Sequence, residues 1–575
     1  MDLRVAMVRG AVLGCALFVG ACADDHGATM GASSLAMAEV QPLDVEGGYG
    51  AYLAAHSARL RDDIDGAADN LQRTLATDPG NTDVQRLSLI YATAGGRFDV
   101  AQKMAQEIVK EKPDDVLAGY VLATEAARDG NWKAADAAMR AIPDANLNSL
   151  LGPLLRAWIA VGERDIDGAL GRLKPLTARK PFLPVYNFHT ALILDYAQRD
   201  AEAEAAYDRT VAGDGGHSIH SVQAAGRFFN RIGKPERTDQ LIADFAAERG
   251  DAPMTEALSK SLIARRARGP IVSTPLDGLG EAYLSIATSL ANADTWEITL
   301  ALAQLSLRAN PHLELARVMV GDLFEEHDDY DHANAAYAKV SPESDIGYSV
   351  RLRMAKNLEH MDEHDEAAKA LDELATRFPH RPEPLIELGD LYRADSRFAD
   401  SVKAYDRAFA RIGTIEPRHW VLYYTRGISL ERSNQWSRAE ADFLKALELE
   451  PDQPLVLNYL GYSWLDKGMH PDEAQAMIER AVEQRPRDGY IIDSLGWAYY
   501  LRGNYQEAVN HLEQAVVLVA DDPTVNDHLG DAYWRVGRKL EARYQWQRAL
   551  DLKPDEKQAA ALQAKLNDGL TGAAR

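Results

Sequence analysis

Cysteine is almost missing from this chain. Of 575 residues only Cys15 and Cys22 carry thiols, so no structural disulfide, zinc ribbon or catalytic thiol is available beyond the first 22 residues. Basic residues are scarce too: 63 Lys and Arg face 87 Asp and Glu, a formal net charge of -24. Such an acidic surface repels phosphate backbones and anionic headgroups, which argues against nucleic-acid binding. After residue 22 no apolar run is long enough to span a bilayer. There is no Gly-x-Ser-x-Gly elbow, and Gly213-Asp214-Gly215-Gly216-His217 lacks the preceding strand and the Lys-Ser/Thr ending of a phosphate loop. Carboxylates are abundant but specify no acid/base pair. The sequence requires no enzyme and no cofactor.

What is present begins with an address. Arg4 and Arg9 precede the short apolar stretch from Ala11 to Val19, and Val19-Gly20-Ala21-Cys22 has the form of a bacterial lipobox. Residues 1–22 therefore read as a lipoprotein signal peptide with Cys22 as the lipidated residue. Cys15, after Val12-Leu13-Gly14, would leave too little apolar core. Residues 23–48 lack helical periodicity and read as a flexible tether. The expected location is periplasm-facing, anchored by the lipid, with the outer membrane the usual destination of such lipoproteins.

Nearly everything else obeys one period. Small residues recur every 34 positions at Ala67, Ala101, Ala135, Ala169 and Ala203, and again at Ala333, Ala367 and Ser401. Ala439, Ala474, Ala508 and Ala542 continue the series. Prolines such as Pro79, Pro113, Pro311, Pro379, Pro451 and Pro554 fall twelve residues later in their own repeats. Aromatic residues fall three before the small position at Phe98, Trp132, Tyr330, Phe398, Trp436 and Tyr505. Three residue classes in one register predict stacked helical hairpins. Gly496 and Ala508 mark where two helices cross closely, and proline ends the second helix. One hairpin cannot bury its apolar face alone, so neighbours must stack.

The phase predicts about 14 units in two sub-arrays: 49–249 and 280–555, joined by a junction helix and linker at 250–279. Residues 556–575 read as a capping helix and tail. In the junction, Met254 to Arg268 has helical spacing, and Arg265, Arg266 and Arg268 read as a solvated helix C-terminus, with an anion patch as the alternative.

His360-Met361-Asp362-Glu363-His364 matches the His-x-x-Glu-His pattern of inverted zinc peptidases. The repeat register puts it across an inter-helix turn, where the two histidines cannot share one helix face. His327 and His332, beside Asp328 and Asp329, read as a hydrated acidic loop. No metal site is predicted.

The period and its residue classes resemble the tetratricopeptide (TPR) family, an all-α right-handed solenoid. Asn458-Tyr459-Leu460-Gly461-Tyr462, Asp493-Ser494-Leu495-Gly496-Trp497 and His528-Leu529-Gly530-Asp531-Ala532-Tyr533-Trp534 resemble those of proteobacterial envelope TPR lipoproteins. The resemblance implies that the first helix of each hairpin lines a concave groove. Its candidates here are Tyr424 and Ile428, Asn458 and Tyr462, Asp493, Trp497 and Tyr500, then Asp527, Asp531 and Trp534. Packing between repeats is the other reading for Trp497 and Trp534. Tyr499, Tyr533, Trp546, Leu495 and Leu529 are assigned to the core.

The resemblance also implies partners: other proteins or peptides, including a periplasmic carboxyl-terminal processing serine protease and its peptidoglycan-hydrolase clients. The membrane would be met only through the lipid. The expected role is a non-enzymatic adaptor; a scaffold for secretion, polysaccharide-export or envelope-assembly machinery is the alternative.

Overall fold

The computed structural model describes residues 47–212, 218–249, 255, 258–264, 269–290 and 295–570. The signal, Cys22, nearly all of the tether, residues 213–217 and the arginines at 265, 266 and 268 lie outside the described residues. Those described form helices and turns, with no strand among them. No described helix is long and apolar enough to cross a membrane.

Six hairpins come first: α1–α2 (Gly48–Arg59, Ile64–Thr77), α3–α4 (Thr82–Ala94, Phe98–Glu111), α5–α6 (Val116–Arg128, Trp132–Ala141), α7–α8 (Asn148–Gly162, Ile166–Leu173), α9–α10 (Leu183–Tyr196, Asp200–Val211) and α11–α12 (Ile219–Arg231, Pro235–Arg249). Three more follow the 250–274 segment: α13–α14 (Pro275–Leu290, Trp296–Ala309), α15–α16 (Glu314–Glu325, Tyr330–Tyr337) and α17–α18 (Gly347–His360, His364–Arg377). Then come α19–α20 (Glu383–Ala394, Phe398–Phe409), α21–α22 (Trp420–Arg432, Trp436–Leu449), α23–α24 (Pro454–Asp466, Pro471–Gln484), α25–α26 (Gly489–Leu501, Tyr505–Leu518), α27–α28 (Pro523–Arg535, Lys539–Asp551) and a last helix, α29 (Glu556–Asp568).

The periodic residues explain the hairpins. All twelve small positions of the 34-residue register are fully buried at the helix crossings. A glycine on the first helix admits a large side chain from the second. A Cβ on Gly427 would lie 2.6 Å from the Phe443 ring, and one on Gly530 would lie 2.5 Å from Trp546. The turn inside a hairpin needs a left-handed residue. Gly503 supplies it between α25 and α26 at φ 79°, while Asp362 takes it between α17 and α18 at φ 59°. Asp362 thus separates His360 from His364. His360 stacks on Tyr330 at 5.0 Å. Among the described residues no group of three His, Cys, Asp or Glu is placed to hold a metal ion.

The chain divides into two compact units at Phe378/Pro379. The hairpin α13–α14 packs back onto the first helices of the preceding repeats. Gly278 lies directly against the buried Trp158 of α7. Tyr283 bonds Thr124 of α5 at 2.8 Å, and Ser285 bonds His189 of α9 at 3.1 Å. Glu281, 1% exposed, pairs with His220 of α11 at 2.5 Å. From α14, Glu297 accepts from Tyr91 of α3 at 3.0 Å. Arg308 grips Glu125 of α5 through two bonds of 2.7 and 2.9 Å. The first-helix face of residues 82–231 is filled by the chain's own hairpin.

The acidic turn at 327–332 is partly exposed, and it also forms a seam that the sequence reading did not include. His327 stacks on Trp296 at 4.1 Å and bonds Asp62 at 3.0 Å. His332 stands between Asp329 and Asp65 and stacks on Phe324 at 5.0 Å. These contacts join α15–α16 to the first hairpin. Sequence distance hid them, since the partners lie more than 260 residues apart.

Candidate functional site

In the unit from Pro379 onward, the groove candidates lie on the first helices α21, α23, α25 and α27. Local sequence fixes each helix start. Asp488 caps α25 by accepting from the Ile491 amide at 3.3 Å. Asp522 caps α27 at Thr524 and Val525, with Pro523 in the first turn.

The centre of the site joins α25 to α27. Asp493, Trp497 and Tyr500 recur at helical spacing, so they share one face of α25. Trp497 stacks on Tyr500 at 4.5 Å and 8°, and on His528 of α27 at 3.9 Å and 16°. His528 Nδ1 lies 3.0 Å from both oxygens of Asp493. Arg535 Nε donates to the Tyr500 hydroxyl at 3.2 Å. Carboxylate, imidazole, indole, phenol and guanidinium are thereby locked together, and Trp497 is half-buried.

Burial opposes charge on His528, but Asp493, reinforced by Asp527 and Asp531, outweighs it and holds the imidazole pKa above its ordinary value. A raised folded pKa means that the stabilisation is fully present below the unfolded value near pH 6.5 and is lost as pH rises through the folded value. The bond is charge-assisted, so raising the pH should cost about 1.5–3 kcal/mol locally. Hydrogen exchange of α25 and α27 in the full chain should show this loss, and Asp493→Asn should abolish its pH dependence. An Asp493→Asn variant with the same dependence would refute the assignment.

The other candidates divide into two groups. On α23, Asn458 and Tyr462 are half-buried, and the Asn458 Oδ1 finds no hydrogen-bond partner. Burial, then Asp493 and Asp466, keep the Tyr462 hydroxyl protonated well above its usual range. Tyr424 is 8% exposed, with its ring 6.0 Å from Tyr459 and 6.2 Å from Phe443, so it belongs mainly to the core. Ile428 is half-buried one turn away.

At the far end the groove positions are engaged internally. Lys565 of α29 reaches Asp527 at 2.6 Å and Asp531 at 2.8 Å. Asp531 also accepts from Trp546 Nε1 at 2.9 Å. Trp534 lies against Gly569, 5.3 Å from the Trp546 ring and 4.9 Å below the Lys539 ammonium. Sequence reasoning missed His528, Arg535 and Lys565 as members of the site. His528 could have been found, because it stands 35 residues after Asp493 and so on the adjacent first helix. The assigned core residues Leu495, Leu529, Tyr533 and Trp546 are all buried. Tyr499 is half-buried, its hydroxyl on Glu479 at 3.2 Å.

Residues 352–413 and 424–489 match the tetratricopeptide repeat family, and residues 496–537 match a TPR repeat. The fold is thus an all-α TPR solenoid, and the matched segments carry most of the groove candidates. A TPR repeat-containing protein of Pseudomonas aeruginosa is 31% identical over 222 residues, covering 38% of this chain and 36% of that protein. An aspartyl/asparaginyl β-hydroxylase of Mus musculus is 24% identical over 237 residues, covering 39% and 31%. The chain spans about a third of the length of these curated relatives. The crystal structure of the Cut9–Hcn1 hetero-tetramer of the APC/C is similar at 14% identity and a TM-score of 0.36, over 91% of this chain and 96% of that one.

Proposed function

We propose that the unit from Pro379 onward is a peptide-binding groove, and that the chain is a non-enzymatic adaptor of the bacterial envelope. TPR repeats serve as protein-binding scaffolds, and this reading gives the groove to α21, α23 and α25. The observation that carries it is Trp497. A half-buried indole held between His528 and Tyr500 is already ordered, so binding costs it little side-chain entropy. Rings of this kind anchor protein interfaces. Asn458 and Tyr462 add an amide and a hydroxyl for an extended backbone.

In this reading lipid on Cys22 holds the chain to the outer membrane, and the groove presents clients to a periplasmic carboxyl-terminal processing protease. Such an adaptor acts by raising effective concentration and needs no chemistry of its own. A photo-crosslinker at Tyr462 or Trp497 in living cells should capture that protease or its peptidoglycan-hydrolase clients. A probe at Tyr544, 68% exposed on α28, serves as the control. Capture of export-channel subunits instead would favour a structural scaffold. Capture no different from the Tyr544 control would remove the groove assignment. Cys22→Ser should release the protein from membranes.

A further inference from the structure

In the unit before Pro379, a cavity of about 280 Å³ opens where α14 and the hairpin α15–α16 meet the ends of α4 and α5. Four cationic residues line it: Arg128, Arg308, Arg317 and Lys339. No carboxylate is among its described lining residues, although the whole chain carries a net charge of -24. A positive concavity on an acidic molecule is a local reversal of field.

The charges around the cavity are unevenly spent. Arg308 and Arg128 share one carboxylate, Glu125, with Arg128 Nη1 at 3.0 Å. Arg308 also lies 5.1 Å over the Phe98 ring, and Asp99 and Asp129 act on it from outside the lining. Arg317 donates to the carbonyl oxygen of Pro311 at 2.5 Å, a neutral partner. Lys339 makes no ion pair among the described residues, and Gln304 also lines the cavity. The remaining wall is apolar, formed by Leu307, Pro311, Val320 and Ala336.

We propose that this cavity binds a small organic anion, a carboxylate or phosphate head on a compact apolar body. Arg317, Lys339 and Gln304 supply the donors, and Leu307 and Val320 receive the apolar part. A guanidinium fork and an ammonium lining one cavity suit an anionic head of either kind. The volume sits at the lower edge of small-molecule sites, about 300 Å³ upward, which limits the body to a short chain. This site lies in the other compact unit from the peptide groove and stands or falls without it.

Titration calorimetry on the full chain tests the idea with three probes: hexanoate, hexyl phosphate and neutral hexanol. At least one of the two acids should bind saturably and hexanol should not; which acid binds identifies the head. Arg317→Gln and Lys339→Gln should each weaken that binding about tenfold, the loss of one charge-assisted hydrogen bond. Lys403→Gln, a surface change in the other unit, should leave it unaltered. Acetylation of Lys339 in the unmutated protein should also slow when the acid is present. Absence of saturable binding by either acid to about 10 mM overturns the proposal. So does unchanged binding in both lining variants, or Lys339 acetylation indifferent to ligand.

Discussion

Replacing Trp158 with alanine is expected to destabilise the protein by about 3–5 kcal/mol and to loosen the hairpin α13–α14 from the repeats that it fills. Trp158 is 0% exposed, and the backbone at Gly278 lies against its ring. Its Nε1 donates to His189 Nδ1 at 3.0 Å. Truncation therefore opens a cavity beneath α13 and leaves the imidazole short of a partner. Chemical denaturation measures the first effect. Hydrogen exchange over residues 275–309 measures the second. Leu529→Ala, in the other unit, should cost about 2–5 kcal/mol without raising exchange at 275–309. Equal protection of that hairpin in wild type and Trp158→Ala would mean that the indole does not hold it.

Acid should act on the same layer through His189. Burial, with the charge of His220 adding, holds its pKa down to about 3. The Trp158 bond leaves Nε2 to carry the proton towards Ser285 Oγ. Above pH 6.5 the ring is neutral whether folded or unfolded, and it contributes no pH dependence. Below that value the unfolded chain takes a proton that the folded one refuses. Stability should fall by about 1.4 kcal/mol per pH unit on this account as pH drops from 6 towards 4. The neighbouring His220 behaves oppositely. Burial opposes its charge, but Glu281 overcomes this and raises its pKa, so its contribution is fully present below pH 6.5 and lost on going alkaline. In His189→Gln, which keeps an acceptor for Trp158, the acid slope should flatten by about that same 1.4 kcal/mol per unit. Identical slopes in the two proteins would refute the assignment.

The solenoid was legible because its requirements are local. A crossing of two helices admits only a small side chain, so the twelve register positions announce the hairpins. The register was lost between Ala203 and Ala333 because threonine stands at the crossings there and the 250–274 segment shifts the spacing. Thr238, 1% exposed, turns its hydroxyl to the Gly226 carbonyl at 3.0 Å. Thr299, 34 residues before Ala333, bonds the Thr295 carbonyl at 2.9 Å. A threonine that spends its hydroxyl on a nearby backbone carbonyl, of its own helix or of the partner helix, packs much as alanine does, but it does not look like one in a sequence.

The groove was legible only in part. Asp493, Trp497 and Tyr500 could be placed on one helix face from their spacing alone. Their engagement with His528 and Arg535 needs the neighbouring hairpin. Lys565 on Asp527 and Asp531 needs the helix after that. The folding-back of α13–α14 left no trace in the period, because its contacts join residues up to about two hundred positions apart, as in Tyr91 and Glu297.

That hairpin has a thermodynamic consequence for anything seeking the inner face of residues 82–231. Its occupant is covalently attached, and a tethered segment competes at an effective concentration of about a millimolar or more. A free peptide at micromolar concentration would need roughly a thousandfold greater intrinsic affinity merely to draw level. Eviction of the hairpin by ordinary mass action is thus closed to weakly binding peptides.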